Sequence, residues 1–161
     1  MNDKPLISAG ICMGIGLGGF VDGILFHQIL QTHSMLSARL PNTTLRNLEV
    51  NMFWDGLFHA MTWTATVVGL ILLWKAARRN EVPWSGMTFT GALLAGWGLF
   101  NLVEGIIDHH LLNLHHVVER LGKSVFDYAF LASGVLLLVV GCLLIRAARH
   151  AWQPAVPRHR P

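Results

Sequence analysis

Four stretches of this chain are apolar enough and long enough to cross a bilayer, which leaves little room for any other fold. They cover roughly 6–30, 51–74, 84–110 and 124–145, and each supplies the ~20 mainly apolar residues that a membrane-spanning helix requires. In lipid, every backbone N–H and C=O must be satisfied within the protein, so spans of this length are helices. Composition agrees: 53% of the residues are hydrophobic and only 13% are charged, which sets the chain apart from ordinary soluble domains. The expected architecture is all-α and integral to the membrane, a bundle of four transmembrane helices over residues 1–146. A basic, disordered cytoplasmic tail is expected over 147–161. The first stretch contains Asp22 and His27 and has a single Lys before it, so it reads as a retained helix rather than a secretory signal.

The basic residues orient the bundle. With the N-terminus inside, the inner side holds Lys4, Lys75, Arg78, Arg79, Arg146, Arg149, Arg158 and Arg160, against Arg39, Arg46, Arg120 and Lys123 outside. This bias places both termini in the cytoplasm. The same charges, gathered at helix ends, speak for lipid headgroups and not for nucleic acid. Cys12 and Cys142 belong to no CxxC pair, so a thiolate-bound metal is not expected.

The chain also repeats itself. Shifted by 82 positions, the first helix lies on the third, with nine identities over the 20 positions from Gly14 to His33. Asp22 meets Glu104, Gly23 meets Gly105, His27 meets His109 and His33 meets His115. Shifted by 72, the second helix lies on the fourth, with Asp55 on Asp127 and Phe58 on Phe130, while His59 meets Leu131. Shared apolarity does not explain matches at Asp/Glu, Gly and His. Two parallel two-helix repeats, 6–78 and 84–150, are therefore expected, related by a pseudo-two-fold axis along the membrane normal. The longer outer loop of the first repeat falls at about 34–50.

Small residues at Gly10, Gly14 and Gly18, matched by Ala92 and Gly96, predict close packing of the first and third helices in the inner half. The outer half carries the polar groups. Asp22, Asp55, Glu104, Asp108 and Asp127 all fall inside spans, and no span contains a Lys or Arg partner. Ionisable groups at that depth cost several kcal/mol unless paired, which makes them functional candidates. Asp55 and His59, and Glu104 and Asp108, are i,i+4 pairs on one helical face. His115 reaches the second of these faces if its helix continues. His27 and His109 follow Asp22 and Glu104 by five residues, which on an α-helix turns them toward a neighbouring helix. His33, His110, His115 and His116 lie at or beyond the membrane edge.

A cluster of carboxylates and imidazoles with no basic partner is best neutralised by a metal ion. The candidate ligands are Asp22, His27, His33, Asp55, His59, Glu104, Asp108, His109, His115 and Asp127. The set suits Cu, Fe, Zn or Mn. Ligand duplication allows two ions, although the Glu-x-x-His signature of di-iron bundles is absent. A proton relay and a purely structural polar knot are the alternatives to metal. Haem on a His pair fits the buried carboxylates less well.

The run Gly-Phe-Val-Asp-Gly-Ile-Leu-Phe-His-Gln-Ile-Leu-Gln at 19–31 resembles the opening of the bacterial DUF2243 membrane-protein family. Asp55-Gly-Leu-Phe-His59 and Glu104-Gly-Ile-Ile-Asp-His-His110 resemble it too. The resemblance covers all but the tail and implies a four-helix protein of the bacterial inner membrane. That some relatives join a copper-oxidase assembly domain points to copper; the second functional reading is a metal-handling or oxidase-assembly factor that passes on Cu or Zn to a respiratory assembly partner, with His33, His115 and His116 as its entry point. A metal-dependent redox or hydrolytic role near the outer face is the first, and homo-oligomers are possible.

Overall fold

The computed structural model describes residues 2–151. Helix α1 runs over Lys4–Val21 and continues as a π-helical stretch, Asp22–Ile29. Helix α2 spans Leu45–Ala77. Helix α3 spans Gly86–Glu104 and also continues as a π-helix, Gly105–Leu111. A short 3₁₀ turn, Glu119–Leu121, precedes α4, Val125–Ala151. The continuous helical segments contain 26, 33, 26 and 27 residues, about 39–50 Å at the α-helical rise of ~1.5 Å per residue. Each exceeds the ~30 Å hydrocarbon core.

Local signals set the helix starts. Pro5 occupies the first turn of α1, where its missing N–H costs nothing. Thr44 and Ser85 cap α2 and α3 by accepting from Asn47 N and Thr88 N. At α4, Asp127 Oδ2 reaches back to accept from Ser124 N at 2.8 Å. Two boundaries differ from expectation. Residues 45–50, expected in the outer loop, form the first turns of α2, because Thr44 caps upstream of them. Residues 147–151, expected in the tail, extend α4. The expected disorder of 152–161 lies outside the described residues.

Helix α2 packs on α1, α1 on α3 and α3 on α4, whereas the backbones of α2 and α3 stay apart and meet through side chains such as Phe58 and Phe100. The central α1–α3 contact is made by small residues. A Cβ at Gly14 would strike the backbone of Leu93, and one at Gly96 would strike Ile11 O. Large apolar side chains such as Phe53, Trp63, Trp74, Leu136 and Leu143 point outward from α2 and α4. Apolar surface on this scale suits lipid and not water.

At the end of the bundle away from the termini, residues 30–44 and 112–124 fold over the tips of α1 and α3. The chain leaves both π-helices through a left-handed residue, Gln31 (φ 50°) and Asn113 (φ 47°). Asn51 ties down the first loop: its Oδ1 accepts from Leu36 N, and its Nδ2 donates to Leu40 O and Asn42 Oδ1. At the other end Arg149 of α4 donates two hydrogen bonds to Asp3, just before α1, at 2.6 and 3.0 Å.

Candidate metal centre

The two π-helical stretches bring the site together. An α-helix returns to the same face after three or four residues, whereas i→i+5 bonding brings residues five apart onto one face. Asp22 and His27 therefore converge, with His27 Nε2 3.1 Å from Asp22 Oδ2. This corrects the expectation that His27 and His109 turn away from the carboxylate of their own helix. They also reach the neighbouring helices, as expected. His27 Nδ1 donates to Asp55 Oδ1 on α2 at 2.9 Å, and His109 Nδ1 lies 3.3 Å from Asp127 Oδ1 on α4.

Two loop histidines complete the cluster. His33 Nδ1 donates to Val117 O at 3.1 Å, and His115 Nδ1 donates to Met35 O at 3.0 Å. Helix α3 ends at Leu111, so His115 arrives from the loop and not from a continued helix, and its Nε2 still comes within 3.5 Å of Glu104 Oε1. The rings are crowded: His33 stacks on His115 with centroids 4.6 Å apart, His27 meets His33 edge-on at 4.4 Å, and His109 lies 4.8 Å from His115.

The same carboxylates that face His27 and His109 hold the loops. Asp55 Oδ1 also accepts from Met35 N, whose carbonyl holds His115. Asp127 Oδ1 accepts from Val117 N, whose carbonyl holds His33. His27, His33 and His115 each have Nδ1 hydrogen-bonded to an oxygen behind the ring, which leaves Nε2 facing inward, while His109 Nδ1 lies near Asp127 Oδ1 without a hydrogen bond.

Those inward atoms lack hydrogen-bond partners. The Nε2 atoms of His27, His33, His109 and His115, Asp22 Oδ2 and both Glu104 oxygens are buried without a hydrogen bond, although His27 Nε2 faces Asp22 Oδ2 and His115 Nε2 faces Glu104 Oε1. Each such atom costs ~1–3 kcal/mol if left so. Three groups have ligand atoms mutually within 4.8 Å: His27/His33/His115, Glu104/His109/His115 and Asp22/His27/Glu104. Buried His and Glu clusters capable of coordinating a metal ion are therefore present. Burial, reinforced by nearby His27, pushes His33 down to about 4, and burial pushes His115 well below the usual histidine range, helped by His33 and His109. Both rings are then neutral at pH 7, the state in which imidazole binds metal.

Six of the ten sequence candidates meet in this cluster: Asp22, His27, His33, Glu104, His109 and His115. The other four are placed elsewhere. Asp55 and Asp127 sit behind the histidines. His59 turns back along α2, its Nδ1 donating to Asp55 O at 2.7 Å. Its ring lies against Gly23, where a Cβ would meet Nε2 at 2.8 Å, much as Leu131 lies against Gly105. Asp108 is half-buried and lines a cavity beside Glu104. His116 contacts Asp127, and His110 donates to Gly105 O. Sequence reasoning missed the carbonyls of Met35 and Val117. Their only trace is position, since each follows a cluster histidine by two residues.

No curated protein and no solved structure matches the chain. The family model described as "Predicted membrane protein (DUF2243)" matches residues 9–148, which include both π-helices, both loops and all six cluster residues. With four membrane-length helices across that match, the chain belongs to the DUF2243 family of predicted membrane proteins.

Proposed function

We propose that this protein is a membrane metalloprotein that holds one or two transition-metal ions in the outer half of its bundle, among Asp22, His27, His33, Glu104, His109 and His115. The observation that carries the reading is the set of seven buried nitrogen and oxygen atoms that make no hydrogen bond and converge within ligand distance of one another. Packing alone does not repay so many unsatisfied groups, while a metal ion satisfies them together. Imidazoles anchored through Nδ1 are the usual arrangement around a protein-bound ion.

Duplication of the donors supports two ions. Under the 82-residue shift Asp22, His27 and His33 become Glu104, His109 and His115, and Met35 becomes Val117. Under the 72-residue shift Asp55 becomes Asp127. Each half's loop carbonyl holds the other half's histidine, as two parallel two-helix repeats about a pseudo-two-fold axis would arrange it. Glu104, His109 and His115 offer two imidazoles and one carboxylate, a donor set suited to non-haem iron and also open to Zn, Mn or Cu(II). A bound ion would supply Lewis acidity or, as iron or copper, one-electron chemistry. The chain's own part is to hold the imidazoles in place and to exclude water.

Orientation rests on the Lys and Arg bias, which puts both termini in the cytoplasm of a bacterial inner membrane and opens the loop end outward. A metal-handling or oxidase-assembly role is the second reading. It is favoured by a cavity of about 490 Å³ that touches His33 and is lined by Thr32, Ser37, Asn42, Glu119 and Arg120. The near-complete burial of all six cluster residues fits a retained ion better than one in transit. Ring centroids only 4.4–4.8 Å apart weigh against a porphyrin between these histidines.

Elemental analysis of protein purified gently from metal-replete cells tests the reading. About one to two equivalents of a first-row transition metal per chain are expected, in line with the donor count. Protein that purifies empty and also fails to take up Fe, Zn, Mn or Cu on titration overturns it.

A further inference from the structure

The separation of the α2 and α3 backbones leaves a gap on the lipid-facing side of the bundle. It holds a cavity of about 300 Å³ whose walls include Phe58, Met61, Phe100 and Val103 and whose only acidic residues are Glu104 and Asp108. Glu104 is 4% exposed and neither of its carboxylate oxygens makes a hydrogen bond. Asp108 makes no side-chain hydrogen bond or ion pair among the described residues, and it has no acidic counterpart in the other half, where Phe26 takes its place. The cavity is thus a one-sided feature added to a duplicated site. A second apolar groove of about 680 Å³ shares Met35, Phe58 and Met61 with it and continues past Trp54 and Thr64 along α2.

We propose that this gap is a lateral binding site for an aryl alcohol dissolved in the bilayer, a phenol or quinol head group whose hydroxyl is donated to the carboxylate of Asp108, beside Glu104 and the metal cluster. The polar wall suits a hydroxyl, because a carboxyl group offers it an accepting oxygen. The apolar walls favour a ring: Phe58 and Phe100 sit with centroids 6.0 Å apart, and the thioethers of Met35 and Met61 add sulfur–aromatic contacts. The cavity volume is at the lower end of the range for small-molecule pockets, which suits a single ring, and the adjoining groove offers a path for an apolar tail. Entry from lipid requires no opening of the loops. The proposal rests on the metal reading in that it sets the hydroxyl next to a carboxylate of that cluster.

The test uses full-length protein in lipid nanodiscs, a diazirine-bearing alkylphenol, and the matching methyl ether, with labelled peptides identified by mass spectrometry. Metal content is measured on the same samples. The phenol is expected to label α2 and α3 saturably. The ether is expected to label at least about tenfold less, the scale of one lost hydrogen bond to a charged group. Val103→Trp and Met61→Trp, each filling the gap from the lipid side, are expected to cut phenol labelling by about the same factor with metal content unchanged. Equal labelling by phenol and ether, labelling that does not saturate, or wild-type labelling in both metal-loaded Trp variants overturns the proposal. Empty wild-type protein that still labels saturably and selectively counts against the metal reading and leaves the aryl-alcohol site standing.

Discussion

A single oxygen, Oδ1 of Asp55, accepts from both His27 Nδ1 and Met35 N, and that double duty sets what each nearby residue contributes. Asp55 orients one imidazole directly and a second, His115, through the Met35 carbonyl. Asp55→Asn keeps the shape but weakens the acceptor, and metal affinity is expected to fall about 10–100-fold, the usual scale for losing a ligand's supporting partner. His59→Leu is expected to leave affinity unchanged, because His59 packs on Gly23 as Leu131 packs on Gly105. Competition titration with a chelator compares the two. Equal losses would return His59 to the site, and no loss in Asp55→Asn would remove Asp55 from it. Intramembrane acids and histidines without basic partners were legible in the sequence, because their cost in lipid is independent of the fold. The distinction between an acid that faces the cluster and one that stands behind an imidazole was not, since both look alike until the loops are in place.

At the scale of elements, the four helices and the close α1–α3 contact follow from apolar length and from the spacing of Gly10, Gly14 and Gly18. The π-helices do not follow, because an apolar pattern in a lipid-embedded helix carries no trace of i→i+5 bonding. The one hint was the acid-to-histidine spacing of five, present at Asp22–His27 and again at Glu104–His109. On an α-helix that spacing separates the two groups, while here both pairs converge. The α1–α3 contact carries its own expectation. A Cβ at Gly14 meets the Leu93 carbonyl and Gly96 Cα, backbone atoms with no rotamer to move. Gly14→Val should therefore destabilise the bundle by about 1–3 kcal/mol or more, seen as a lower unfolding temperature in detergent. Gly56→Ala, which meets nothing within 4 Å, should not. Equal stability of the two variants would show that the helices do not approach so closely.

For the whole molecule, the cluster joins two carboxylates, four imidazoles and two loops, with the Val117 carbonyl holding His33 and the Met35 carbonyl holding His115. Cys12 and Cys142 stand outside this set, both as free thiols. X-ray absorption of the metal-loaded protein tests that claim most directly. The account requires a shell of nitrogen and oxygen only, at ~2.0–2.2 Å, with the outer-shell scattering of imidazole and a metal–metal vector near 3.5–4 Å when two ions are bound. A sulfur shell, or a nitrogen and oxygen shell lacking imidazole, would contradict it.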